Sequence, residues 1–284
     1  MHRLRSESTG ISYLSNEAED GPVVLCLHGF PDIPRTWVPL TEELRDGGYH
    51  VACPWLPGYA PSSLGGPFDA ISLADEVLSL IDELSPNDPV RIVGHDWGSV
   101  IAQCAMAKSP ARFRAAALLA VPHLLAFQAN LEEHPRQLGR SAYMALFQLP
   151  FLSDGLVKLR NYAFVERLWR KWSPGFQPEE GYFDELKDCL RSSMPAPLHY
   201  YRALRWPKNV LAIRELMSAG PIEVPTLYRP VERDGCIGTE MTLGQEPHFS
   251  AMFEQVLLAD AGHFVHLERP LEVNEAIASW FKSH

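Results

Sequence analysis

The chain has no run of 18 or more apolar residues, so no segment is long enough to cross a bilayer as a helix. Its opening stretch, MHRLRSESTGISYL, lacks the apolar core of a secretory leader. Cysteine is scarce: Cys26, Cys53, Cys104, Cys189 and Cys236 are odd in number and form no CxxC pair. That pattern argues against a disulfide or zinc framework and for small buried residues in a reducing compartment, the cytoplasm. Positive charge is short as well, with 25 Lys and Arg against 35 Asp and Glu. A formal charge of −10 leaves no general basic face for nucleic acid or anionic membranes. No Gly-rich phosphate loop, no His/Cys/carboxylate cluster at ligand spacing, no repeat and no low-complexity segment occurs, so no metal and no organic cofactor is expected.

What is present suits one large core. The 284 residues are 46% hydrophobic and 21% charged, ordinary globular composition with room for an inserted subdomain. Short apolar runs at Pro22–His28, His50–Trp55, Val90–Gly94 and Ala115–Val121 lack polar alternation, as strands covered on both faces do. Helical spacing fills the gaps between them. PRTWVPLTEELRDGG ends at a Gly pair, and SLADEVLSLIDELS opens on Ser72 as an N-cap. This alternation predicts an α/β fold, a mostly parallel sheet with helices on both faces. From about Pro122 to Ala219 it stops, in a Leu-, Arg- and aromatic-rich stretch that reads as helices only. Strands resume at Val224–Pro230 and Phe253–Ala259, and RPLEVNEAIASWFKSH closes as a helix with Pro270 in its first turn. The expected division is a core of residues 1–121 and 220–284 with a helical cap at 122–219.

Chemistry concentrates at VRIVGHDWGSV. Gly94 and Gly98 flank a sharp strand-to-helix turn that would expose Asp96 at the carboxyl edge of the sheet, where a helix N-terminus favours an anion. The alternative is an Asp that merely caps the helix. Two other stretches bear on the choice. LHGFPDIPRTW follows the Pro22–His28 strand, and its loop could aim the Phe30 amide, together with that of Trp97, at an oxyanion near Asp96. LADAGHFVHLERP places His263 on a loop after the last strand, where an imidazole can act as general base. His266, its rival, reads as packing or solvated.

The order HGFP, GHDWGS, a late acid and then GHF resembles the α/β-hydrolase superfamily along essentially the whole chain. An Asp nucleophile is similar to the branch of epoxide hydrolases, haloalkane dehalogenases and haloacetate dehalogenases. The resemblance implies an acid that orients His263: Asp234 in VERDGCIG, with Glu232 as the alternative. It also implies a Tyr ahead of Phe-Gln-x-Pro and a second Tyr before an Arg, positions filled by Tyr143 (RSAYMALFQLPFL) and Tyr201 (PAPLHYYRALRW). Tyr200, on the same helix, cannot face the same way as Tyr201.

Phenols donate a proton to an epoxide oxygen, which a halide does not need. No Asn follows His28-Gly29, and Trp97 stands where haloacetate dehalogenases usually carry an Arg. The resemblance therefore implies an epoxide hydrolase, with a dehalogenase second and a non-catalytic binding protein a remote third. A small apolar epoxide and water are the expected partners, in a pocket lined by Phe30, Trp37, Phe127, Leu146, Phe147 and Phe264. The chain would act as a monomer or homodimer.

Overall fold

The computed structural model describes residues 1–16, 18 and 21–284. Eight strands form one sheet: β1 (His2–Arg5), β2 (Ser12–Ser15), β3 (Val23–Leu27), β4 (His50–Pro54), β5 (Val90–His95), β6 (Phe113–Leu119), β7 (Thr226–Arg229) and β8 (Phe253–Gln255). Their spatial order is β1-β2-β4-β3-β5-β6-β7-β8. The pairs β1–β2 and β2–β4 are antiparallel, and every later pair is parallel. The first two strands were not anticipated: β1 is an exposed edge strand, and β2, though mostly buried, is a four-residue SYLS stretch with no apolar run. β8 is shorter than the Phe253–Ala259 expectation, and its last residues are exposed.

β3 shows why the central strands read as unbroken apolar runs. All five of its residues are buried. Val24 and Cys26 join one core layer, while Val23, Leu25 and Leu27 join the other. Alternate side chains leave opposite faces of a strand, and both faces are covered here. One layer packs under the helices Val38–Asp46 and Pro270–Ser283, which contribute Leu40, Leu44, Ile277 and Phe281. The other lies under Ala70–Leu84 and Trp97–Lys108 and continues into the segment between β6 and β7.

That segment is helical throughout among the described residues, running from Leu124–Glu133 to Pro207–Ser218. Its longest helix, Leu152–Trp172, breaks at Leu159–Tyr162. No helix of the described residues is long and apolar enough to cross a membrane.

Two local expectations need correction. The helix read with Ser72 as its N-cap starts at Ala70, and Asp69 caps it by accepting from the Ser72 amide at 3.1 Å. An Asp with extended backbone before an apolar-periodic run is the better cap, and Ser72 instead donates its hydroxyl to Asp69. PRTWVPLTEELRDGG splits into a 3₁₀ turn, Pro34–Trp37, and the helix Val38–Asp46.

Candidate active site

Asp96 stands between β5 and the helix Trp97–Lys108 with φ 51° and ψ −119°, backbone that an L-residue adopts only under local constraint. Close packing supplies that constraint. A Cβ on Gly98 would fall 2.1 Å from the Leu27 carbonyl oxygen, so β3 and the helix approach as only Gly allows. The Ser99 hydroxyl lies 2.7 and 2.9 Å from the carbonyl oxygens of Gly94 and Leu119, tying the turn to β6.

The Asp96 side chain makes no cap hydrogen bond, which removes the helix-cap reading. Oδ1 instead accepts from the Phe30 amide at 2.8 Å, and Oδ2 lies 3.6 Å from His263 Nε2. Gly29 makes this possible, since a Cβ there would meet the Asp96 Cβ at 2.3 Å.

His263 is fully buried. Its Nδ1 donates to Asp234 Oδ2 at 2.9 Å, while Asp234 Oδ1 accepts from the amides of Cys236 and Ile237 at 2.6 and 2.9 Å. Glu232 is exposed and meets only the Asp260 amide, at 3.4 Å, so of the two acids Asp234 is the one on the imidazole. Burial alone would lower the imidazole pKa, but Asp234 first and Asp96 second reverse this and hold it well above its ordinary value. Burial would likewise raise Asp96, and the imidazole with the Phe30 amide outweighs it and pulls the carboxyl below its usual range.

Above this carboxylate sits an aromatic lid. The Tyr201 ring meets Phe30 and Trp97 edge-on at 5.4 and 5.3 Å, Phe147 at 5.1 Å and Tyr143 at 5.6 Å. Tyr201 is 1% exposed, and its hydroxyl, with the Trp97 and Tyr143 side chains nearby, makes no hydrogen bond of ordinary geometry among the described residues. The half-buried Tyr143 has its hydroxyl 3.6 Å from Cys236 Sγ. Tyr200 turns away and donates to the Pro57 carbonyl at 2.5 Å. Trp97 opens the helix directly after Asp96.

Phe30 and Phe147 belong to this cluster, and Phe264 stacks on Trp169 with its edge toward His263. Phe127 and Leu146 pack partly buried at the margin of the same layer. Trp37 does not belong here. It lies in the core layer on the other face of the sheet, stacked on His266, because the 3₁₀ turn points it under Val38–Asp46. The site is closed: Asp96 is 5% exposed and His263 0%, so any small molecule reaches them only if the covering side chains move. A surface recess of about 360 Å³ lined by Arg35, Glu42, Glu179 and Tyr182 includes none of these residues.

A second buried polar group lies behind Asp96, His263 and Asp234. His95 Nε2 donates to the His263 carbonyl at 2.9 Å, and His266 bonds Thr36. Asp32 accepts from the Ile33 amide and the Tyr182 hydroxyl. Burial pushes Asp32 up to about 7 and His95 down to about 3, so both are neutral at acid to neutral pH. The sequence pointed to none of these roles; Asp32 follows HGFP directly, but nothing in its spacing marks it as buried.

The sign for stability follows. Folding raises the Asp32 pKa from 3.8 to about 7, so its contribution is full below about pH 4 and is lost as pH rises to 7. Asp32→Asn should therefore gain thermal stability relative to the parent as pH rises through that window. Parallel Tm–pH curves from thermal denaturation would refute this.

The alpha/beta hydrolase family model matches residues 24–276. Epoxide hydrolase 3 of Xenopus tropicalis is 28% identical, over 99% of this chain and 77% of the relative. Epoxide hydrolase A of Mycobacterium tuberculosis is 28% identical, over 90% of this chain and 89% of the relative. Potato (Solanum tuberosum) epoxide hydrolase I superposes with a TM-score of 0.84 at 21% identity, over 100% of this chain and 99% of its own.

Proposed function

The chain belongs to the alpha/beta hydrolase family, and from that premise we propose that it is an epoxide hydrolase with Asp96 as nucleophile. The observation that carries this reading is the unpartnered phenol of Tyr201, buried over the two residues that flank the Asp96 carboxylate. An unbonded buried hydroxyl costs about 1–3 kcal/mol, a cost that an incoming epoxide oxygen would relieve. A halide leaving group has no use for two converging phenols. The relatives named as epoxide hydrolases support the same reading.

In this mechanism Asp96 attacks an epoxide carbon, the C–O bond breaks, and Tyr201 and Tyr143 donate to the departing oxygen. The product of that step is an ester at Asp96, which carries no charge. One of the two carboxylates that held the imidazole protonated is thereby lost, and His263 can release its proton. That proton balances the one the phenols gave to the alkoxide. Neutral His263, oriented by Asp234, then takes a proton from water, which attacks the ester carbonyl carbon. The Phe30 amide, 2.8 Å from Asp96 Oδ1, and the Trp97 amide would hold the oxyanion. A vicinal diol leaves, and Asp96 and the imidazolium are restored with no net proton consumed.

Residues 122–219 serve as the cap that carries both tyrosines, with 1–121 and 220–284 as the core. The apolar lid fits an apolar epoxide. The unpaired cysteines suit a cytoplasmic enzyme. In ¹⁸O water, a single turnover should label the Asp96 carboxylate, read by peptide mass spectrometry. Label passing straight into the diol would rule out the ester.

A further inference from the structure

Cys236 plays no part in that mechanism, yet its sulfur stands inside the site. One donor atom each from Asp96, Cys236 and His263 lie within 4.8 Å of one another, and all three residues are buried. We propose that these three side chains form a site for a borderline or soft divalent cation, of the zinc and cadmium class, whose occupation shuts the enzyme off.

Three observations support the site. First, His263 Nε2 is fully buried and makes no hydrogen bond among the described residues; its 3.6 Å ion-pair contact with Asp96 Oδ2 is too long for one. A zinc-bound carboxylate oxygen and imidazole nitrogen, at about 2.0–2.2 Å from the ion, stand about 3.3–3.5 Å apart in tetrahedral geometry, so this pair needs almost no adjustment.

Second, the far end of each donor is already held. The Phe30 amide fixes Asp96 Oδ1, Asp234 accepts from His263 Nδ1, and the Cys236 amide bonds Asp234. A carboxylate behind a ligating imidazole is the usual outer support of a zinc histidine. Third, a carboxylate, an imidazole and a thiolate are the mixed donor set that zinc accepts, while magnesium prefers oxygen alone.

Coordination sends the Cys236 thiol proton, and any proton on His263 Nε2, to solvent. The ion's two positive charges are then matched by one carboxylate and one thiolate. The nucleophile and the base are both consumed as ligands, so turnover stops until a chelator removes the ion.

The binding half stands on geometry alone; the inhibition half rests on the epoxide hydrolase reading. The two are tested separately. Cd²⁺ titration of the full chain should give a thiolate-to-cadmium ultraviolet absorption that saturates at one ion per chain. That band should vanish in Cys236→Ala, and Asp96→Asn, which keeps the thiol, should bind more weakly. A band unchanged in Cys236→Ala would place the ion on another cysteine and overturn the site, as would no band in the parent.

In epoxide turnover, the half-inhibiting Zn²⁺ concentration should rise more than about tenfold in Cys236→Ala, each protein being compared with its own metal-free rate. EDTA should restore the parent, and Mg²⁺ should do nothing. Equal inhibition of both proteins, or saturation by cadmium without loss of turnover, would overturn the switch. An absence of epoxide turnover in the metal-free parent would sink the functional reading while the absorption titration still decided the site.

Discussion

His263→Gln should yield a protein that alkylates once and then stops. Intact mass should rise by one substrate after exposure to an epoxide such as styrene oxide, with the added mass on the peptide containing Asp96. Gln can fill the imidazole's place beside Asp234, but it cannot take a proton from water, and the ester therefore persists. Triad-type removals cost on the order of 10⁴–10⁶ in turnover, and a loss of that size is expected in kcat.

Alkylation should survive because the Phe30 amide still binds the Asp96 carboxylate at 2.8 Å. A variant that loses turnover without gaining mass would mean that His263 acts before the ester forms, or that no ester forms. Either result would remove the two-step mechanism.

Tyr201→Phe should slow epoxide opening and leave the fold at least as stable. A positioned proton donor is worth about 10²–10⁴ in rate, and the double variant with Tyr143→Phe should lose more than either alone. The stability half of the expectation comes from burial. The Tyr201 hydroxyl makes no hydrogen bond of ordinary geometry among the described residues, so deleting it removes a desolvated polar group worth about 1–3 kcal/mol against folding.

Single-turnover kinetics and thermal denaturation together test this, and the opposite directions matter. A drop in both rate and Tm would identify Tyr201 as a packing residue. Unchanged alkylation in the double variant would take both phenols out of the chemistry.

Much of the site was legible because its parts are local. HGFP, GHDWGS and GHF each sit on a loop after a parallel strand, and parallel strands deliver their carboxyl ends to one edge of a sheet. Knowing the strands thus brought Phe30, Asp96 and His263 together. The closing helix was legible for a similar reason, since Pro270 in the first turn and an apolar period are short-range signals. The failures were of another kind. Trp37 lies seven residues past Phe30, yet the 3₁₀ turn at Pro34–Trp37 carries it to the opposite core layer. It was expected to line the pocket, and nothing local told on which side of the sheet it would be buried.

The sequence by itself determined a parallel α/β core, the helical segment between β6 and β7, and the chemical types at the turn, because each follows from spacing within some twenty residues. Only the tertiary structure decided that Asp234 rather than Glu232 meets His263, that the Tyr201 phenol is buried without a partner, and that Cys236 joins Asp96 and His263. These pairings span tens to more than a hundred residues of chain. Which side chains meet across such distances depends on how the helices close over the sheet edge, and no local pattern encodes that packing.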